Sequence, residues 1–159
     1  MAEIITLDLV EKACNLTEVA ALAILNYPGA TWGPKWVAGQ FFAPGLSDSY
    51  DFEFGISPNR EWNNNWGEFT RFTRIAVKNL TLIMREKASS SVIVATRPWL
   101  LRQGEFLYVG GAYEDGMAAA ASGAEGWANE AISRHLIINV RMLAFLETDN
   151  RIQIDFKEI

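Results

Sequence analysis

Few side chains in this chain are of types that do chemistry, and their scarcity limits what they can build. His135 is the one histidine and Cys14 the one cysteine among 159 residues. A zinc site needs three or four protein ligands, so one histidine and one cysteine assemble none, and no metal is expected. No Ser-His-Asp arrangement stands out by spacing, although triads do not depend on chain order. Lys78 lies among Ala76, Val77 and Leu80. A lysine on a largely apolar helix can bind an anion or, when desolvated, serve as a general base; it can equally reach past its neighbours to water. Arg97, Trp99, Tyr113 and Trp127 flank a strand of very small residues, Met117 to Ala121. A flat ligand fits there against aromatic walls, with Trp62 and Trp66 closing the site from a loop. The alternative is that the six tryptophans serve the core and subunit contacts.

The elements that must position these residues follow from periodicity. Leu7, Val10, Cys14, Thr17, Ala21 and Ile24 recur at spacings of three and four, which predicts a helix from Thr6 to about Asn26 with Thr6 as N-cap. On that stripe Cys14 reads as a small core residue rather than a reactive thiol. Trp36–Phe42 and Tyr50–Ile56 read as the strands of a hairpin. The second alternates Phe52 and Phe54 with Asp51 and Glu53, whose carboxylates are expected to face water. Ser57–Asn65 reads as a loop, followed by a helix from Asn65 or Trp66 to Lys87, broken by Ser89-Ser90-Ser91. Val92–Ala95 reads as a buried strand ended by Arg97-Pro98-Trp99, since proline lacks the amide hydrogen of a sheet ladder.

The segment Gly104–Ile132 is the most ordered in its signals. Phe106–Val109 reads as a strand leading to Gly110-Gly111; a Glu114-Asp115-Gly116 turn and the strand Met117–Ala121 follow. Ser122-x-x-Glu125 matches a capping box, which predicts a last helix from Ser122 to about Leu146. Ile152, Ile154 and Phe156 alternate with polar residues, so 151–159 reads as an extra edge strand or a subunit-contact tail. These elements predict one domain over 1–159, of α/β (α+β) class, with a five-stranded, mainly antiparallel sheet flanked by helices.

Composition excludes several classes. A formal charge of −5 and a pI near 4.9 argue against nucleic acid, whose phosphates require a basic surface. No apolar run approaches about 18 residues, so no membrane span is expected. The acidic start and the lone cysteine fit a cytoplasmic setting without a secretory signal.

Ala76-Val77-Lys78-Asn79, Gly110-Gly111-Ala112-Tyr113, Asp115-Gly116, Ser122-Gly123-Ala124 and Asn129-Glu130-Ala131-Ile132 together resemble the GlcG/HbpS-like family, a haem-degrading domain also found at the end of some PduO proteins. The resemblance covers roughly residues 66–140. Ala112-Tyr113 stands where the family has Val-Pro-Ile, Asn129 replaces an aspartate, and residues 27–65 carry a tryptophan-rich segment of their own. The resemblance implies a profilin-like three-layer α/β/α domain, a homo-oligomer that binds small ligands. It places Lys78 and Glu130 at the family's basic and acidic positions, as a pair or as proton-transfer groups; Glu130 can equally complement the start of its helix. Haem, bound by some relatives, would take His135 as axial ligand, against a packed histidine in mid-helix near Ala131, Ile138 and Met142.

The expected function is therefore binding of an aromatic or carboxylated metabolite through Lys78, Arg97, Tyr113 and Glu130, with haem a weaker candidate. The alternatives are an enzyme of small-molecule or biosynthetic metabolism using Lys78 or Glu130 for proton transfer, and a structural oligomerisation module.

Overall fold

Thr6 opens the first helix as its sequence predicts. Its backbone is extended, and its Oγ1 accepts the Leu9 amide hydrogen at 3.2 Å. The helix α1 (Leu7–Leu25) follows, burying Leu9, Val10, Ala13, Cys14, Thr17, Ala21 and Leu25 along one stripe. The computed structural model describes residues 5–30, 35–56, 66–101 and 110–157, of which 66–73, 100 and 148–157 are described by their backbone alone. The strands β1 (Trp36–Phe42) and β2 (Tyr50–Gly55) form the expected antiparallel hairpin. Phe52 and Phe54 are buried, while Asp51 and Glu53 are exposed; Glu53 accepts the indole hydrogen of Trp36 at 2.7 Å.

The long helix α2 (Trp66–Glu86) ends at Lys87, whose φ of 52° breaks the helical path. The next segment differs from the sequence reading. Val92–Ala95 is not a strand but part of a short helix, α3 (Ser90–Thr96). Only Ile93 of its apolar run is buried, with Val92 and Val94 exposed; one inward residue in such a run suits a helical turn better than a buried strand. Arg97 is the C-cap of α3, and Pro98–Leu100 forms a single 3-10 turn instead of a strand end.

The expected strand Phe106–Val109 lies outside the described residues, as does the Ser57–Asn65 loop. The strand β3 (Gly111–Glu114) pairs with β4 (Met117–Ser122) across a tight turn. Asp115 and Gly116 both have positive φ, 51° and 84°, which suits a two-residue hairpin turn. Ser122 ends β4 rather than capping a helix. The last helix, α4 (Gly126–Lys157), starts four residues later, where the Asn129 side chain accepts from the Ala124 amide and donates to the Ala124 carbonyl. It also continues through the tail, so Ile152, Ile154 and Phe156 are helical rather than an edge strand.

The chain is thus mixed α+β, and the described residues contain four strands, not five, in the antiparallel order β2-β1-β4-β3. Alternate residues of β4 enter two separate apolar clusters. Met117, Ala119 and Ala121 join Phe41, Phe52 and Phe54 with residues of α1 and α4. Ala118 and Ala120 join Leu80, Leu82 and Ile83 of α2 and Ile93 of α3. The alanines let both sets of helices approach the central strand closely. Among the described residues, no helix is long and apolar enough to cross a membrane.

Candidate functional site

Beside β4, the start of β3 is surrounded by polar side chains that are themselves buried. Ser90 Oγ, at the start of α3, accepts the amide hydrogens of Gly110 at 3.0 Å and Gly111 at 2.8 Å. It donates to the Gly111 carbonyl at 3.1 Å, with Glu130 Oε1 3.5 Å away. Ser133 Oγ donates to the Gly110 carbonyl at 2.9 Å, and that oxygen also accepts from the Ala121 amide. Ser89 Oγ accepts the Tyr113 amide hydrogen at 3.0 Å and one from Arg134 at 3.3 Å. Glu130 Oε1 accepts the Ser91 amide hydrogen at 2.9 Å. Each of these buried groups therefore has a partner, as buried polar groups generally do.

Asn79 is the exception. It is 3% exposed, and its Nδ2 has no hydrogen-bond partner. A Cβ built on Gly110 would lie 3.6 Å from Nδ2 and 3.2 Å from the Asn129 Cβ, so the free amide looks onto the Gly110 backbone beside this network. The only other such buried atom among the described residues is Arg141 Nε, on a guanidinium otherwise held by Glu114 at 2.7 Å and Asp115 at 3.0 Å. Asn79 is thus a buried donor with an open valence in the face that packs on the sheet.

The residues singled out from the sequence fall in several places. Glu130 lies in the network, but its partners are Ser91 and Ser90, and no ion pair joins it to Lys78 among the described residues. Lys78 is exposed, because the buried face of α2 runs through Ala76, Asn79, Leu80 and Ile83 and leaves position 78 outside. The desolvation that primes a lysine as a base is absent there. Tyr113 packs partly buried against the cluster of Leu80, Ile83 and Ile93, and Arg97 is half-buried at the end of α3. Trp99 and Trp127 are exposed, at 74% and 63%. His135 is exposed too, five residues from Glu130 and so roughly 140° around α4 from it. Trp62 lies outside the described residues, and Trp66 opens α2 in a stretch described by backbone alone. Among the described residues, no three His, Cys, Asp or Glu side chains gather as metal ligands.

Sequence reasoning passed over Asn79, Ser89, Ser90 and Ser133. A signal for Asn79 was present: it shares the phase of Ala76, Leu80 and Ile83, so a polar residue occupies a core position. The serine run read as a helix break, and no local pattern announces hydroxyls that reach across to β3. Compared with known proteins, the chain matches no family model, no curated protein and no solved structure.

Proposed function

We propose that this chain is a small-molecule-binding domain whose ligand presents a carboxylate or carbonyl oxygen to Asn79 Nδ2. The observation that carries the reading is the unpaired amide of a side chain only 3% exposed. An unsatisfied buried donor costs about 1–3 kcal/mol, and an acceptor on a ligand recovers it. The neighbouring network supports the reading because it is already satisfied: Ser90, Ser133 and Glu130 hold the Gly110-Gly111 backbone and the start of α3 in place without the ligand. Tyr113 offers a ring on the same side of the sheet for a flat ligand. The resemblance to the GlcG/HbpS-like family, with its profilin-like layering of helices on both faces of an antiparallel sheet, motivates the class of function. Binding has better geometric support than proton transfer, since Lys78 is exposed and Glu130 is already engaged. Haem is the weaker ligand, because His135 faces away from this network.

Calorimetric titration with a panel of mono- and dicarboxylic acids, aliphatic and aromatic, tests the proposal. At least one acid is expected to bind the wild type and to bind Asn79→Leu at least tenfold more weakly. A flat response of the wild type to the whole panel overturns the reading. A haem titration runs beside it: a Soret shift in wild type that disappears in His135→Ala would replace the carboxylate reading with the haem one.

A further inference from the structure

The charges around Asn79 are either turned to water, already engaged, or negative. On α2 the nearby cations Arg74 and Lys78 are both exposed, roughly 140° and 100° around the helix from Asn79. The strands β1 and β4 bring no charge, and β3 brings the Tyr113 ring before Glu114. Glu114 is held by Arg141 at 2.7 Å and faces Arg134 at 3.7 Å. On α4, Arg134 also donates to Ser89 Oγ at 3.3 Å, Arg141 is shared by Glu114 and Asp115, and His135 is exposed. Arg97 stands at the far end of α3 from Ser90, about 10 Å along the helix. The formal charge that contacts lead to first is a carboxylate. Glu130 Oε1 lies 3.5 Å from Ser90 Oγ, which receives the Gly110 amide hydrogen, and the Asn79 amide looks onto Gly110. Among the described residues, no unengaged cation is buried beside Asn79.

Resting on Asn79 as the group that meets the ligand, we infer that the site takes its ligand uncharged: a primary carboxamide, or a carboxylic acid in its protonated form. A carboxamide such as that of Asn79 presents a donor and an acceptor in one plane. A ligand amide or protonated acid answers both, its carbonyl accepting from Nδ2 and its N–H or O–H donating to Oδ1. A carboxylate has acceptors alone, so it sets one oxygen against Oδ1. Burial widens the difference, because leaving water disfavours the charged form of a carboxyl group unless a cation pairs with it. The Glu130 charge works in the same direction. An acid taken from neutral solution therefore gives up affinity to acquire a proton, whereas its amide binds without that step.

Calorimetric titration of the wild type with each acid that binds, and with its matched primary amide, tests the inference. At about pH 7 the amide is expected to bind about tenfold more tightly than the acid, or better. The acid's Kd is expected to fall about tenfold per pH unit from about pH 7 to about pH 5, since simple carboxylic acids ionise near pH 4.3. The amide's Kd is expected to stay level over that range, which clears Glu130 and His135 as the source of the trend. An acid that binds as tightly as its amide, or equally at both pH values, overturns the uncharged ligand and leaves Asn79 as a carboxylate site. An amide whose Kd follows the acid's assigns the trend to the protein and overturns it too. Asn79→Leu separates this from the site itself: it is expected to weaken acid and amide alike by about tenfold. Unchanged binding of both overturns Asn79 as the ligand's partner, and no binding of any acid or amide at either pH overturns both claims.

Discussion

Cys14 and Asn79 are both buried polar groups, and their surroundings set opposite behaviour. Burial, with the Glu11 charge nearby, pushes the Cys14 thiol up to about 12. Such a thiol is protonated and inert in the folded chain, yet ionises at about 8.5 once unfolded. The folded state therefore holds its proton longer, and this contribution to stability is present below about pH 8.5 and lost as pH rises toward 12. Tyr50, raised by burial and then by Cys14 and Glu11, works in the same direction. Denaturation midpoints of wild type are expected to fall between pH 9 and 11, and those of Cys14→Ala to fall less over the same range. Asn79 is under-satisfied instead. In ligand-free protein, Asn79→Leu is expected to raise the urea midpoint by the equivalent of about 1 kcal/mol, since it removes a donor without a partner. A variant both more stable and unable to bind separates a ligand site from a structural asparagine.

At the scale of elements, α3 shows why part of this fold was legible and part was not. Its sequence, SSVIVAT, is rich in β-branched residues and reads as strand. The helix forms because the Glu130 carboxylate, forty residues from Ser90, receives the Ser91 amide and Ser90 ties α3 to β3. Such contacts are tertiary and leave no local trace. α1, the first hairpin and the Asp115-Gly116 turn were legible because Thr6, the alternation of Phe52 and Phe54, and the glycine are local devices. The tail misled because Ile152 and Phe156, read as alternation with Ile154, are equally one helical turn apart. In the site, Glu130 was visible by its type and position, whereas Asn79 was hidden in an otherwise apolar phase. The tie between α3 and β3 predicts that Ser90→Ala costs about 2–4 kcal/mol in urea denaturation, by stranding the Gly110 and Gly111 amides. Glu130→Gln keeps an acceptor for Ser91 and is expected to cost under about 1 kcal/mol. The central sheet is equally intolerant. A Cβ at Gly39 would collide with the Ala120 carbonyl oxygen and the Phe52 ring, so Gly39→Ala is expected to lose about 2–3 kcal/mol.

At the scale of the whole molecule, the two apolar clusters lie on opposite faces of the sheet with β4 between them, its side chains no larger than methyl at Ala118, Ala119, Ala120 and Ala121. The order β2-β1-β4-β3 has a kinetic meaning of its own. The two hairpins β1–β2 and β3–β4 close over short stretches of chain, but β1 pairs with β4 across roughly 80 residues, as Gly39 does with Ala121. Closing so long a loop costs entropy that only the finished sheet returns. The strand order therefore predicts that the two hairpins form first and the alanine-lined β1–β4 pairing last, and pulsed hydrogen exchange during refolding is expected to protect the β1–β4 amides after those of either hairpin.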